Sequence, residues 1–169
     1  MKIDIIAAVG SGKTTLSQKL SKSYNIPCYE LDNIMWMQTI NGDIKRNDNE
    51  RDKIFKGIIS SNSWIIEGSP RNVFREGYSK ADYIILLDTP SYIRVIRIIK
   101  RWIRQRAGKE ACNSRPTLQM LKMMFKWHIE YNDSRNDLIA ELIQYGNKFV
   151  VLKNEKEVYK FLSESQYEL

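Results

Sequence analysis

Residues 7–14 read Ala-Ala-Val-Gly-Ser-Gly-Lys-Thr, and they leave this chain few ways to fold. Before them lies an apolar segment, Ile3 to Val9, broken only by Asp4. After them, Lys13 to Tyr24 (KTTLSQKLSKSY) sets Leu16 and Leu20 on one face. The first pattern predicts a buried strand and the second a helix. A strand, a glycine-bearing turn and a helix start in that order aim free backbone N–H groups at an anion. Gly10 and Gly12 allow the main chain to approach an oxyanion with no Cβ in between. The octapeptide follows the phosphate-loop pattern G-x-x-x-x-G-K-[ST] except that Ala7 replaces the first glycine. Alanine is accommodated at a strand exit if its φ is negative. The expected nucleotide-binding residues are therefore Val9, Gly10, Ser11, Gly12, Lys13, Thr14 and Thr15. Lys13 would reach the β- and γ-phosphates, Thr14 would ligate Mg²⁺, and Thr15 would reach the α-phosphate. ATP and Mg²⁺ are the expected cofactors. A capped glycine turn without a ligand is the alternative.

Four further segments read as strands: 27–31 (PCYEL), 63–67 (SWIIE), 83–88 (YIILLD) and 148–152 (KFVVL). With residues 2–8 they make five, mostly continuous apolar runs of the kind buried on both faces of a parallel sheet. Helical segments alternate with them, so the expected fold is α/β, a sheet sandwiched between helical layers. At 169 residues it is read as a single domain. Ligands in such folds gather at the C-terminal strand ends, where Gly10, Gly12, Asp32, Glu67, Arg71 and Asp88 fall. Residues 33–62 form an insertion, polar in its middle and helical toward Ile54, Phe55, Ile58 and Ile59, that could cover a substrate. The pattern lapses again at about 105–117, read as a short lid. Thr117 then opens a helix whose Leu118, Leu121, Met124, Phe125 and His128 are expected to pack in the core.

Composition narrows the function classes. No apolar run approaches 18 residues, so no membrane span is expected. Cys28 and Cys112 lack any C-x-x-C spacing and read as reduced thiols of a cytoplasmic protein. His128 is the sole histidine, which excludes a histidine-based triad or zinc site. The net charge of +7 suits either nucleic-acid affinity or arginines converging on polyphosphate. Arg94, Arg97, Arg101 and Arg104 recur within SYIRVIRIIKRWIRQR and fall in an arc of roughly 80° on a helix. Val95, Ile98, Ile99 and Trp102 are expected on the other, core-facing side. Like charges so spaced repel one another. We read the ridge as phosphate-binding, since Arg forks suit phosphate oxygens; a solvated face is the alternative.

In order along the chain stand the phosphate loop, Glu67-Gly68-Ser69-Pro70-Arg71, Asp88-Thr89-Pro90, Arg97-x-x-x-Arg101 and Arg135-Asn136-Asp137. With these motifs the chain resembles the nucleoside monophosphate kinase-like P-loop kinases, in particular the adenylate kinase-related branch known as DNA topology modulation proteins. The resemblance covers nearly the whole chain. It implies a three-layer α/β/α sandwich with a five-stranded parallel sheet in the order 2-3-1-4-5. It also implies catalytic roles for Lys13, Arg97, Arg101 and Arg135, with Arg97 and Arg101 also on ATP, and Arg71 on the acceptor. Glu67, one methylene longer than the family's Asp, would hold the metal with Thr14 and Asp88 and border the acceptor, while Asn154 would border the adenine. Asp32 is expected to bind the acceptor and, if that is an alcohol, to act as base; a helix N-cap is the equal alternative.

These readings converge on a phosphotransferase that moves the γ-phosphoryl of Mg-bound ATP to a small acceptor, such as a nucleoside monophosphate. A nucleic-acid-binding regulator and an ATPase without an acceptor are the competitors. A monomer or a homodimer fits either way.

Overall fold

The structure, a computed structural model, describes residues 1–39, 42–110 and 116–165. Its centre is a five-stranded parallel sheet built from β1 (Lys2–Ile6), β2 (Cys28–Glu30), β5 (Trp64–Gly68), β6 (Tyr83–Leu87) and β7 (Phe149–Leu152). The spatial order is β2-β5-β1-β6-β7. Counted among the sheet's own strands this is 2-3-1-4-5, the expected order. β1 is central, with Ile3 in register with Ile65 of β5 and Tyr83 of β6. Strand segments predicted from apolar runs are all present, each within two residues of its expected ends.

Period-two alternation along β1 sends side chains to two separate cores. Ile3 and Ile5 pack with Leu16 and Leu20 of α1 (Lys13–Tyr24) and with Val158 and Leu162 of α7 (Glu155–Ser165). Ile6 packs on the opposite side with Phe55 and Ile59 of α3 (Asp48–Ile59), Tyr78 of α4 (Arg75–Lys80), and Tyr131 and Leu142 of α6 (Leu118–Leu142). Each fully buried aliphatic side chain contributes roughly 1.5–3 kcal/mol. The three layers therefore follow from β1 being apolar on both faces. Asp4 is the exception, a carboxyl buried in the second core.

The insertion after β2 is more structured than its polar composition predicts. A short helix α2 (Leu31–Met35) leads into an antiparallel hairpin, β3 (Trp36–Thr39) and β4 (Gly42–Lys45), and then into α3. The hairpin pairs Met37 with Ile44, both exposed. Alternation over four residues per strand is too short a signal to separate from a loop. The Asn47 side chain caps α3 by accepting from the Glu50 N–H.

Helix α5 (Ser91–Arg106) forms where expected but is rotated partway about its axis: Arg97, Arg101 and Arg104 are exposed and Val95 and Trp102 half-buried, while Arg94 turns inward. Its buried residues are Arg94, Ile98 and Gln105. Of the expected core positions only Ile98 is buried, while Ile99 is exposed with Tyr92, Ile96 and Ile103. The reason is polar. Arg94 Nε donates to the Thr89 carbonyl at 3.0 Å, Nη2 donates to Asn132 Oδ1, and the guanidinium lies 4.9 Å from the Tyr131 ring centre. A buried arginine with these partners outweighs the apolar stripe. Thr117 caps α6, accepting from the Met120 N–H at 3.1 Å. Met124 and His128 are buried as expected, but Leu118 is exposed. The central lid residues, 111–115, and with them Cys112, lie outside the described residues. Among the described residues no helix is long and apolar enough to cross a membrane.

Candidate active site

The site begins at the helix end that the loop creates. Gly10 and Gly12 have φ of 77° and 92°, backbone that favours glycine, and Gly12 is the N-cap of α1. That helix start has no side-chain cap and no acidic residue in its first turn. Its first N–H groups have no intrahelical partner and face outward with the positive end of the helix dipole. Ala7 is fully buried and outside the left-handed region, its N–H donating to the Gly68 carbonyl at 3.1 Å. The alanine is thus tolerated, because strand-like backbone at this position needs no glycine.

The loop is tied down from behind. The Ser11 carbonyl accepts from Thr89 Oγ1 at 3.1 Å and from Arg97 Nη1. These bonds occupy the Ser11 carbonyl, while the Ser11 N–H makes only a long bond, 3.4 Å, to the Ala8 carbonyl, which an anion could replace. Arg97 accordingly sits against the loop, next to Gly12. The loop's contribution to anion binding therefore rests on α1 and on residues contributed by α5.

Thr14 Oγ1 donates to Glu67 Oε1 at 2.6 Å. Glu67 is buried at the end of β5, and burial raises its pKa while Lys13 and the Thr14 hydrogen bond oppose the rise. Glu30 and Asp32 push the same way as burial. The phosphate loop, Glu67 and Asp32 thus share one electrostatic neighbourhood. A hydroxyl and a buried carboxylate beside an uncapped helix end are hard oxygen donors of the kind Mg²⁺ takes. The residues present fit a nucleotide phosphate chain and its metal.

On the acceptor side, Asp32 Oδ1 accepts from Arg71 Nη2 at 2.6 Å. Asp32 lies inside α2, whose N-cap is Glu30, so it is not the helix cap. Its carboxylate is largely exposed and held by Arg71, which joins two residues 39 positions apart. Gly68 makes this approach feasible, since a Cβ there would meet Leu31 at 2.7 Å.

Other expected site residues are placed differently. Asp88 was expected to bind metal, yet both its oxygens accept from Arg135, with Nε at 3.0 Å from each and Nη2 at 2.6 Å. A carboxylate so engaged has little capacity left for a cation, and it anchors Arg135 to the end of β6. Arg101 and Arg104 flank Glu110, at 3.5 and 3.0 Å. The ridge therefore carries an acid that α5 itself lacks, while Arg94 is committed to the interior. Asn154 caps α7, its Oδ1 accepting from the Glu157 N–H at 3.0 Å and its Nδ2 donating to Glu157 Oε1 at 2.7 Å. That reciprocal pairing makes it a helix start rather than a free adenine contact. His128 is buried, bonded through Nε2 to Ser91 Oγ at 3.0 Å, with burial lowering its pKa.

Two participants were not legible beforehand. Thr89 props the loop through Ser11, and Glu30 stands in register with Glu67 across β2 and β5. A hydrogen bond across 78 residues marks the first and strand pairing the second.

Comparison with known proteins places this geometry. A family described as AAA domain, AAA_18, matches residues 3–114. The chain belongs to that family. It is 28% identical over 126 residues to an adenylate kinase of Wigglesworthia glossinidia brevipalpis, which covers 64% of this chain and 60% of that protein. The chain thus aligns with well under two thirds of that relative's length. Two solved structures share the fold: a shikimate kinase from Aquifex aeolicus with TM-score 0.50, and a gluconokinase from Sinorhizobium meliloti 1021 with TM-score 0.51. They are 18% and 15% identical, covering 99% and 98% of this chain and 96% and 95% of their own.

Proposed function

We propose that this AAA-domain protein is a P-loop kinase that transfers the γ-phosphoryl group of ATP to a small acceptor. The observation that carries the reading is the Thr14–Glu67 hydrogen bond beside the uncapped, glycine-turned start of α1. The kinase relatives support the reaction class, and the motif order supports the topology modulation branch in particular. The unit is a single kinase domain, with the hairpin insertion on the acceptor side and a short lid at about 105–117, acting in the cytoplasm.

Backbone N–H groups of residues 9–14 bind the phosphate chain, with Lys13 as its mobile counter-charge and Thr15 at the α-phosphate. Thr14 and Glu67 would hold Mg²⁺ as a pair. When bound, magnesium would neutralise charge spreading over the transferred oxygens. Arg97, already braced on the loop, stabilises the same charge, and Arg101 and Arg135 are the further cations assigned to it. Asp32, oriented by Arg71, accepts the proton of an acceptor hydroxyl.

Replacing Lys13 by alanine is expected to lower acceptor-dependent ADP formation by roughly 10²-fold or more, with the thermal unfolding midpoint nearly unchanged. Near-parental turnover by a folded K13A protein would overturn the mechanism.

A further inference from the structure

Beyond Arg71, away from the phosphate loop, lies a cavity of about 260 Å³. It is lined by Arg71, Arg75, Tyr78, Asp137, Leu138 and Glu141, among others. None of these but Arg71 belongs to the phosphate-transfer machinery described above. The cavity lies between η1 (Asn72–Phe74) with α4 on one side and α6 on the other. Arg71 is shared: it lines the cavity and holds Asp32 at its edge.

Both arginines of the lining are ion-paired. Arg75 Nη2 donates to Glu141 Oε2 at 2.7 Å, and Arg71 is bonded to Asp32 at 2.6 Å. Asp137 has no hydrogen bond or ion pair with the described residues. Two guanidiniums thus stand among three carboxylates, Asp137 and Glu141 in the lining and Asp32 just outside it, so negative charge is in excess, and Arg71 keeps one buried N–H, at Nη1, without a partner. A phosphate dianion could reach the free Arg71 Nη1, but it would add two negative charges beside carboxylates already in excess, with no unpaired guanidinium to offset them. A hydroxyl has the opposite fit: it donates to a carboxylate and accepts from a guanidinium without separating the pair. Tyr78 and Leu138 add an apolar wall for the C–H face of a ring or chain. The volume lies at or below the low end of ligand pockets, roughly 300–1,000 Å³.

We propose that this cavity is the acceptor's specificity pocket and that the acceptor is a small polyhydroxylated molecule with at most one negative charge. Arg75, Asp137 and Glu141 read its hydroxyl pattern while Asp32 faces the hydroxyl that is phosphorylated. The inference rests on the kinase reading above and names its acceptor class. It makes the nucleoside monophosphates the poorer substrates.

The test measures ADP formation with sorbitol, glucose, gluconate and shikimate against adenosine, cytidine and uridine monophosphates. The parent protein, Glu141→Gln and Asp137→Asn are compared, and calorimetry follows binding of the best acceptor. The expected result is turnover with a polyhydroxylated acceptor, whose KM rises roughly tenfold or more in E141Q, as for loss of a charged hydrogen bond. The D137N protein, which breaks no existing pair, is expected to show a rise of the same sense with unchanged unfolding midpoint. Preferred turnover of a nucleoside monophosphate, or an acceptor KM indifferent to both substitutions, overturns this inference and leaves the kinase reading standing. Failure of every acceptor to raise ADP formation above the acceptor-free rate overturns both.

Discussion

A Cβ at Gly10 would sit 2.8 Å from the carbonyl oxygen of Arg94 and 3.1 Å from Ile98, on backbone with φ of 77°. Strain and collision there have separate causes, and both act against any side chain. Gly10→Ala is expected to destabilise the protein by about 1–3 kcal/mol and to weaken nucleotide binding, since relief of the clash moves the loop away from α5. Urea denaturation and ATP titration check the two effects separately. Ala7, directly after β1, shows the contrast: its Cβ is accommodated in the core on an ordinary backbone. At this scale the phosphate loop was legible because its chemistry is local. The partner of Asp88 was not, since Arg135 lies 47 residues away and nothing local distinguishes a metal-binding aspartate from an ion-paired one.

At the scale of elements, α5 shows how a correct helix can be rotated away from its own pattern. Tyr92, Ile96, Ile99 and Ile103 fall within roughly 60° of one another on the helix, and all four are exposed. Arg94 faces inward instead, and Gly10 packs directly against its backbone. Hydrophobic periodicity assumes that the apolar face is the buried one; a specific hydrogen-bonded arginine takes the centre of the buried face beside Ile98 and turns part of the apolar set outward. Arg94→Ala is expected to cost about 2–4 kcal/mol, because it strands the Thr89 carbonyl and the Asn132 side chain. Ile99→Gln is expected to stay within about 0.5 kcal/mol. Chemical denaturation of the two variants side by side decides which face is structural. The hairpin β3–β4 escaped the sequence for a related reason, being short and exposed with little burial to impose a pattern.

For the whole molecule the unusual group is Asp4, in the central strand. Burial raises its pKa from 3.8 to about 8. Phe55 and Gly77 pack around it, and Tyr78, whose own pKa is raised by burial and then by Asp4, is its ionisable neighbour. The folded state therefore holds a proton that the unfolded chain releases. Its stabilising effect is complete below pH 3.8 and is lost as pH rises toward 8. Asp4→Asn removes this titration. Relative to the parent, the variant is expected to gain stability between pH 5 and pH 8 by up to about 1.4 kcal/mol per pH unit. Urea unfolding at several pH values measures the difference, and a constant offset between the two proteins would show that Asp4 is charged throughout.

The sequence alone determined the sheet and its nucleotide end. Continuous apolar runs read as strands buried on both faces, and the loop's glycines, Lys13 and Thr14 lie within one octapeptide. Tertiary structure decided how the remaining charges are shared. Arg71 with Asp32, Arg135 with Asp88, Arg75 with Glu141 and Arg94 with Asn132 each join positions tens of residues apart. An arginine's role depends on which acceptor the fold brings within about 3 Å, and no local pattern encodes that distance.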